Sequence, residues 1–393
     1  MNTKKKYLIK HCAILVTVLF FGKIKAQQDT VRTEKVPGLL ENVADLADWG
    51  MDLVTFEKEK YTFFFLPLMH YEERTKLSFG VMPVWRFYIG GKQEGSAYYR
   101  PSNIAPSVVY STSGMYEVEL LSEFYTPNNW RLKNRWVYQS MPDKFYHIGN
   151  ETDKSEYSEF DVKKLEFIGD VMKGLNQELF VGLNYDVGFY EITDVQSDIL
   201  NEDVLGYDGG TVAGFGPMVS YDSRNSVLFP DAGSFVSLSY TYYPESISEY
   251  NFSSFTLDAR NFLKLGNKQS VLATQLYMKS AIGDVPFYRL PVLAGKRLFR
   301  GISHPYKYMD KNSLYLQAAY RSHLWWRLGY EVFTGAGNVF QKWNSDVFSK
   351  VHLMGGAGLR FRILEDEKLN FRFDYAVSSR GNSGFFFTLG EAF

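Results

Sequence analysis

Cysteine is almost absent. The chain of 393 residues contains one, Cys12, so disulfides play no part in holding the rest of it together. Cys12 stands at the head of the apolar run "CAILVTVLFF" rather than after it, which is not where a lipid-bearing cysteine lies. That run is too short to cross a bilayer as a helix. With Lys4, Lys5 and Lys6 before it and "KIKA" after it, residues 1–26 read as a signal peptide. A strong charge bias is missing too. Removing the six lysines of residues 1–26 takes the balance from 43 basic against 44 acidic residues to 37 against 44, a net −7. A mildly acidic exported chain has no bulk preference for nucleic acid. Enzyme signatures are also lacking: there is no GxSxG, no HExxH and no P-loop. "GNSGF" (381–385) wants the last glycine. No catalytic residue, cofactor or resident metal is expected. The acidic stretch 197–210 offers Asp198, Glu202, Asp203 and Asp208 to a divalent cation, or is simply a solvated loop.

What is present is aromatic side chain, 17% of residues, at a mean hydropathy of only −0.23. A barrel with one apolar and one polar face reconciles the two values. Between residues 27 and 60, Leu39, Val43, Leu46 and Gly50 recur at helical spacing opposite Glu41, Asp45, Asp48 and Asp52, predicting one short amphipathic helix. From Tyr61 onward no helix is evident. Segments of about ten residues alternate instead, as transmembrane strands do. "WRLKNRWVY" (130–138) sets Trp130, Leu132, Trp136 and Tyr138 against Arg131, Lys133 and Arg135. "LNFRFDYAV" (369–377) sets Phe371, Phe373 and Tyr375 against Arg372, Asp374 and Ala376. Sixteen such segments fit between residues 61 and 393. Their short linkers, such as 126–129, 173–176 and 365–368, fall on one side, with 89–102 the exception. The long ones (141–158, 192–210, 283–311 and 336–349) fall on the other. The expectation is an all-β fold, a sixteen-stranded antiparallel transmembrane β-barrel with a short N-terminal amphipathic helix. Hydrocarbon tolerates no unpaired backbone, so such a sheet must close.

Several stretches carry chemistry. Glu117, Glu119 and Glu123 share the polar face of one strand, and Arg131, Lys133 and Arg135 that of the next. This is a lumen charge ladder worth roughly 0.2–1 kcal/mol per opposed pair. "YDSRNSVLFPDAG" (221–233) places Tyr221, Asp222, Arg224, Pro230 and Gly233 at an inner turn, with Asp222 and Arg224 positioned to pair. "LAGKRLFRGISHPYKYMDK" (293–311) interrupts the strands with a long linker holding Phe299, Arg300, Gly301 and Ile302. The chain closes on "GFFFTLGEAF", whose Phe385, Phe387, Leu389 and Phe393 are expected to face outward together.

In this order, the motifs resemble those of the BamA/TamA superfamily of outer-membrane assembly and transport barrels. "YDSR…P..G" is similar to that family's periplasmic turn. "MPDKFYHIGNET" (141–152) resembles its "fP…yGiGn.t" stretch, with His147 where glycine is common. "FRGI" resembles the VRGF-type tip of its sixth extracellular loop, with Ile302 where an aromatic is usual. Phe393 resembles its C-terminal signal, although Glu391 departs from the pattern. The resemblance implies that the sixth loop folds into the lumen and that Arg300 clamps carboxylates there. In the family these come from the twelfth and thirteenth strands, where this chain has Ala319 and Gly335. Glu331 and Asp374 are the available substitutes. The segment 27–60 is too short for a periplasmic POTRA domain. The resemblance implies a role in inserting or translocating polypeptide or lipid at the bacterial outer membrane, with both termini periplasmic. Outer-membrane lipid and lipopolysaccharide are then partners, and a client polypeptide, a periplasmic helper and a second copy of the chain remain open. The alternatives are a plugged structural or partner-docking barrel and a narrow diffusion pore.

Overall fold

The computed structural model describes residues 55–58, 61–72, 74–90, 100–153, 155–227, 229–266, 270–295, 298–302, 304–364 and 369–393. The signal peptide, Cys12 and the amphipathic helix lie outside the described residues. A short strand β1 (Thr55–Lys58) pairs with the start of β2 (Tyr61–Glu72). There follow β3 (Lys76–Phe87), β4 (Ser102–Ser111), β5 (Tyr116–Tyr125), β6 (Trp130–Phe145), β7 (Ser158–Gly174) and β8 (Leu179–Thr193). Next come β9 (Gly209–Asp222), β10 (Gly233–Tyr243), β11 (Phe252–Leu265), β12 (Ser270–Gly283) and β13 (Asn312–Trp325). The chain finishes with β14 (Leu328–Phe340), β15 (His352–Leu364), β16 (Leu369–Ser378) and β17 (Asn382–Leu389).

From β2 to β17 every strand pairs antiparallel with the next, and β17 returns beside β2. Sixteen strands thus make a nearly closed barrel, with β1 as an addition that the alternation alone did not predict. The junction of β17 with β2 is the sparsest between any two long neighbours. Period-2 alternation decides which face each side chain takes. Trp136, Tyr138, Leu238, Tyr240, Leu359 and Phe373 lie exposed on the outside, while Arg131, Arg360, Arg372 and Asp374 are buried within.

Antiparallel succession sends alternate connections to opposite ends. One end carries the long connections 146–157, 194–208, 284–311 and 341–351, and the other mostly short ones. At the long-connection end the interior is an apolar core. Phe145, Phe160, Ile192, Val212 and Phe252 from the wall pack with Phe287, Leu290 and Met309 from the 284–311 connection. The acids of 197–210 converge on no metal-binding cluster among the described residues.

The C-terminus departs from the expected outward row. Phe385 is exposed, but Phe393 is 3% exposed and packs inside with Phe262 and Phe386. Gly390 adopts φ +74, a left-handed turn that suits glycine. It ends β17 and sends Glu391, Ala392 and Phe393 inward.

Candidate functional site

The 284–311 connection brings Arg300 to the inner face of β14 and β16. The guanidinium is wholly buried and its Nη1 donates to Glu331 Oε1 at 2.6 Å and to Asp374 Oδ2 at 2.8 Å. The Phe333 ring lies 3.3 Å from its central carbon, a cation–π contact between two buried side chains. Phe299 and Ile302 flank the arginine and join an apolar cluster with Leu293, Tyr308, Tyr315 and Met354. Gly301 has φ +96, and a Cβ there would stand 3.1 Å from the Val377 carbonyl carbon. Both the turn and the close approach to β16 therefore call for glycine.

Three further arginines complete a network. Arg321 Nε donates to Glu331 Oε2 at 2.8 Å, and Arg360 Nη2 lies 2.9 Å from the same oxygen. Arg360 Nη1 donates to Asp374 Oδ1 at 2.6 Å, and Arg372 Nε lies 3.3 Å from Asp374 Oδ2. Glu391, carried in by the turn at Gly390, accepts from Arg360 Nε and from the Asn370 amide, both at 2.9 Å. Space for this comes from β15. A Cβ on Gly358 would fall 2.0 Å from Asp374 Oδ1 and 2.7 Å from Arg360 Nη1. Gly358→Leu is therefore expected to abolish folding to the compact, heat-modifiable form that migrates fast on a semi-native gel. Normal migration would show that β15 yields instead.

A second cationic anchor sits earlier in the same connection. Arg289 Nη1 lies 3.3 Å from Glu166 Oε1 and donates to the Tyr190 hydroxyl at 3.0 Å, and its Nη2 pairs with Asp186. Burial works against its charge. Asp186, then Tyr190, Tyr243 and Glu166, nonetheless hold its pKa well above the ordinary value. These partners lie on β7, β8 and β10, away from the β14–β16 wall that holds Arg300. Tyr243 donates to Asp186 at 2.7 Å, so the anchor is itself tied to the wall.

The ladder residues meet in part. Arg135 Nε donates to Glu119 Oε1 at 2.5 Å, and Glu123 stands opposite Lys133 in the register. Glu117 accepts from Gln139, whereas Arg131 turns to Asp170 on β7 at 3.4 Å. At the turn after β9, Asp222 accepts from Arg224 Nε at 2.8 Å and from Arg100 Nη1 at 2.5 Å. Tyr221 points outward and Pro230 is buried. Gly233 has φ +97 and would bring a Cβ to 2.3 Å from the Ser223 oxygen. In the 141–152 stretch, Gly149 donates its backbone N–H to the Met309 oxygen at 2.7 Å, tying this connection to the Arg300 segment.

Residues 104–393 match the Omp85 superfamily domain. The chain belongs to the Omp85 superfamily. Solved barrels of similar shape accompany that match. BamA from Haemophilus ducreyi lacking POTRA domains 1-3 aligns at a TM-score of 0.56 and 14% identity, over 85% of this chain and 70% of that one. CdiB from Acinetobacter baumannii aligns at 0.53 and 10% identity, over 84% of this chain and 59% of that one. CdiB from Escherichia coli aligns at 0.55 and 10% identity, over 85% and 63%. The chain thus spans less than two thirds of either CdiB. A search of the curated proteins finds no match.

Several residues of this Omp85 barrel to which the motifs gave no role at the site now take part in it: Arg289, Arg321, Arg360, Arg372 and Glu391. Four of them carried a visible signal, because a charged residue on the inward parity of a lipid-facing strand, or beside a terminal phenylalanine, needs a partner inside. Arg289 lies in a connection without periodicity and carried none.

Proposed function

We propose that this outer-membrane barrel assists insertion or translocation of polypeptide or lipid at the outer membrane. In this reading both termini are periplasmic and the 284–311 connection is the sixth extracellular loop, folded into the lumen and held by Arg300. Membership of a family of assembly and transport barrels supports the general role. The observation that carries the mechanism is the sparse junction of β17 with β2. Pro67 removes a backbone donor from β2, and β17 stops at Leu389, short of the turn at Gly390. With the long-connection end filled by an apolar core, the seam between first and last strands is the weakest place at which the wall can part sideways.

The test is a disulfide across the seam, with one cysteine introduced into β2 and one into β17. The purified barrel is placed in liposomes and supplied with a urea-denatured outer-membrane barrel as the probe client. Oxidation is expected to suppress client insertion at least tenfold, and reduction to restore it. Equal insertion in both states would refute a sideways opening. The partner-docking reading is favoured by one specific feature, the filled lumen, and it predicts no client insertion in either redox state.

A further inference from the structure

At the short-connection end a small cavity opens between the 223–232 connection and the wall of β13 to β16. It is lined by Arg321, His323, Arg327, Arg360 and Arg362, with Phe229 facing them. The Phe229 ring is 9% exposed and lies 5.7 Å from the Arg362 guanidinium. The connection that bears it is pinned at its start, where Asp222 is held by Arg224 and Arg100. Arg321 is 1% exposed, and its Nη1 has no hydrogen-bond partner among the described residues. A buried guanidinium donor without an acceptor is costly, and a guanidinium fork matches a carboxylate or phosphate.

The molecule already shows what this wall grips. Its own Glu391-Ala392-Phe393 segment lies beside the cavity. The Glu391 carboxylate is 2.9 Å from Arg360 Nε and from the Asn370 nitrogen, both residues of the cavity lining. The Phe393 ring stands 5.3 Å from the Arg321 guanidinium, and its main-chain oxygen accepts from Arg321 Nη2 at 2.8 Å. Acid and aromatic are thus read by two neighbouring arginines: Arg360 holds the Glu391 carboxylate, while Arg321 holds Phe393 and stands 3.6 Å from Glu391 Oε2.

We propose that this cavity binds the carboxylate of an acidic–aromatic peptide segment entering from the short-connection end. The lining arginines would hold the carboxylate, with Phe229 and Tyr330 available to its aromatic neighbour. A peptide fits better than a lipid headgroup, because the arginines face inward while Leu324, Val332 and Leu359 cover the outside of the same strands. Such a segment would be the polypeptide substrate of the transport reading above. Binding is measured on the resting barrel, so it stands or falls separately from client insertion.

The test uses the full chain in nanodiscs and a fluorescent, end-blocked Glu-Ala-Phe tripeptide, with Gln-Ala-Phe as the neutral control. Saturable binding of the acidic peptide is expected, weakened about tenfold by the neutral control and by either Arg327→Gln or Arg362→Gln, each the loss of one charge-assisted contact. Both variants leave the Arg300 network intact, and unchanged gel mobility checks that they fold. Equal binding of the two peptides, no binding, or indifference to both substitutions would overturn the proposal. So would displacement by inorganic phosphate at the peptide's own concentration, or loss of binding in nanodiscs containing lipopolysaccharide. Either would assign the cavity to phosphate.

Discussion

Glu331→Gln is expected to destabilise the barrel more than removal of Arg300 itself. The buried network holds four guanidinium groups, Arg300, Arg321, Arg360 and Arg372, against the three carboxylates of Glu331, Asp374 and Glu391. Glu331 meets three of them, Arg300, Arg321 and Arg360, and Asp374 likewise meets Arg300, Arg360 and Arg372. Neutralising it leaves four buried cations facing two anions, and removing one partner from a buried ion pair costs about 3–5 kcal/mol. Arg300→Ala instead leaves three against three. Its global cost is therefore smaller, and its main effect is local release of the 298–302 tip. Urea midpoints of the barrel in liposomes, read by gel mobility, check the order. An Arg300→Ala protein less stable than Glu331→Gln would show that the apolar seat of Phe299 and Ile302, not charge balance, dominates.

Parity made the barrel legible. Each of the sixteen alternating segments corresponds to a strand from β2 to β17, because a one-residue slip would turn a whole lipid-facing row inward. The alternation was less useful where it was weak. β6 runs on to Phe145 through Pro142, and β14 to Phe340, past the ends that the alternation marks. The inward turn at Gly390 was hidden for a different reason: Phe393 keeps the outward parity of Phe385 and Phe387 in the sequence while the backbone leaves the sheet. At the site, parity places Arg360, Arg372 and Asp374 inside but does not say whom they meet. Arg300 reaches Glu331 and Asp374 only because strand tilt and closure set β14, β15 and β16 side by side beneath one connection, and those are properties of the whole cylinder. Ala319 and Gly335, where the resemblance leads one to expect carboxylates, are small residues on the same wall. A Cβ on Gly335 would stand 2.8 Å from the Met354 methyl.

The 284–311 connection has two cationic anchors on different parts of the wall, and this predicts strongly non-additive behaviour. Arg289 is tied to β7, β8 and β10 through Glu166, Asp186 and Tyr243, beside the apolar packing of Phe287 on Phe145 and Phe160. Arg300 is tied to β14 and β16. Either anchor alone keeps the connection across the interior, since freeing one end leaves the other to hold the strap in place. Residues that share one task in this way depart from additivity by a large margin. Arg289→Ala and Arg300→Ala are each expected to leave the barrel nearly silent in a planar bilayer. The double variant is expected to show long-lived openings, with a mean conductance at least tenfold above either single variant. The charge-keeping double variant, Arg289→Lys with Arg300→Lys, should close the barrel less fully than its charge suggests, because a lysine ammonium cannot span two acceptors as the guanidinium fork does. If Arg300→Ala alone conducts as freely as the double variant, Arg289 is no anchor. A silent double variant would instead show that the apolar core around Phe287 seals the barrel without either arginine.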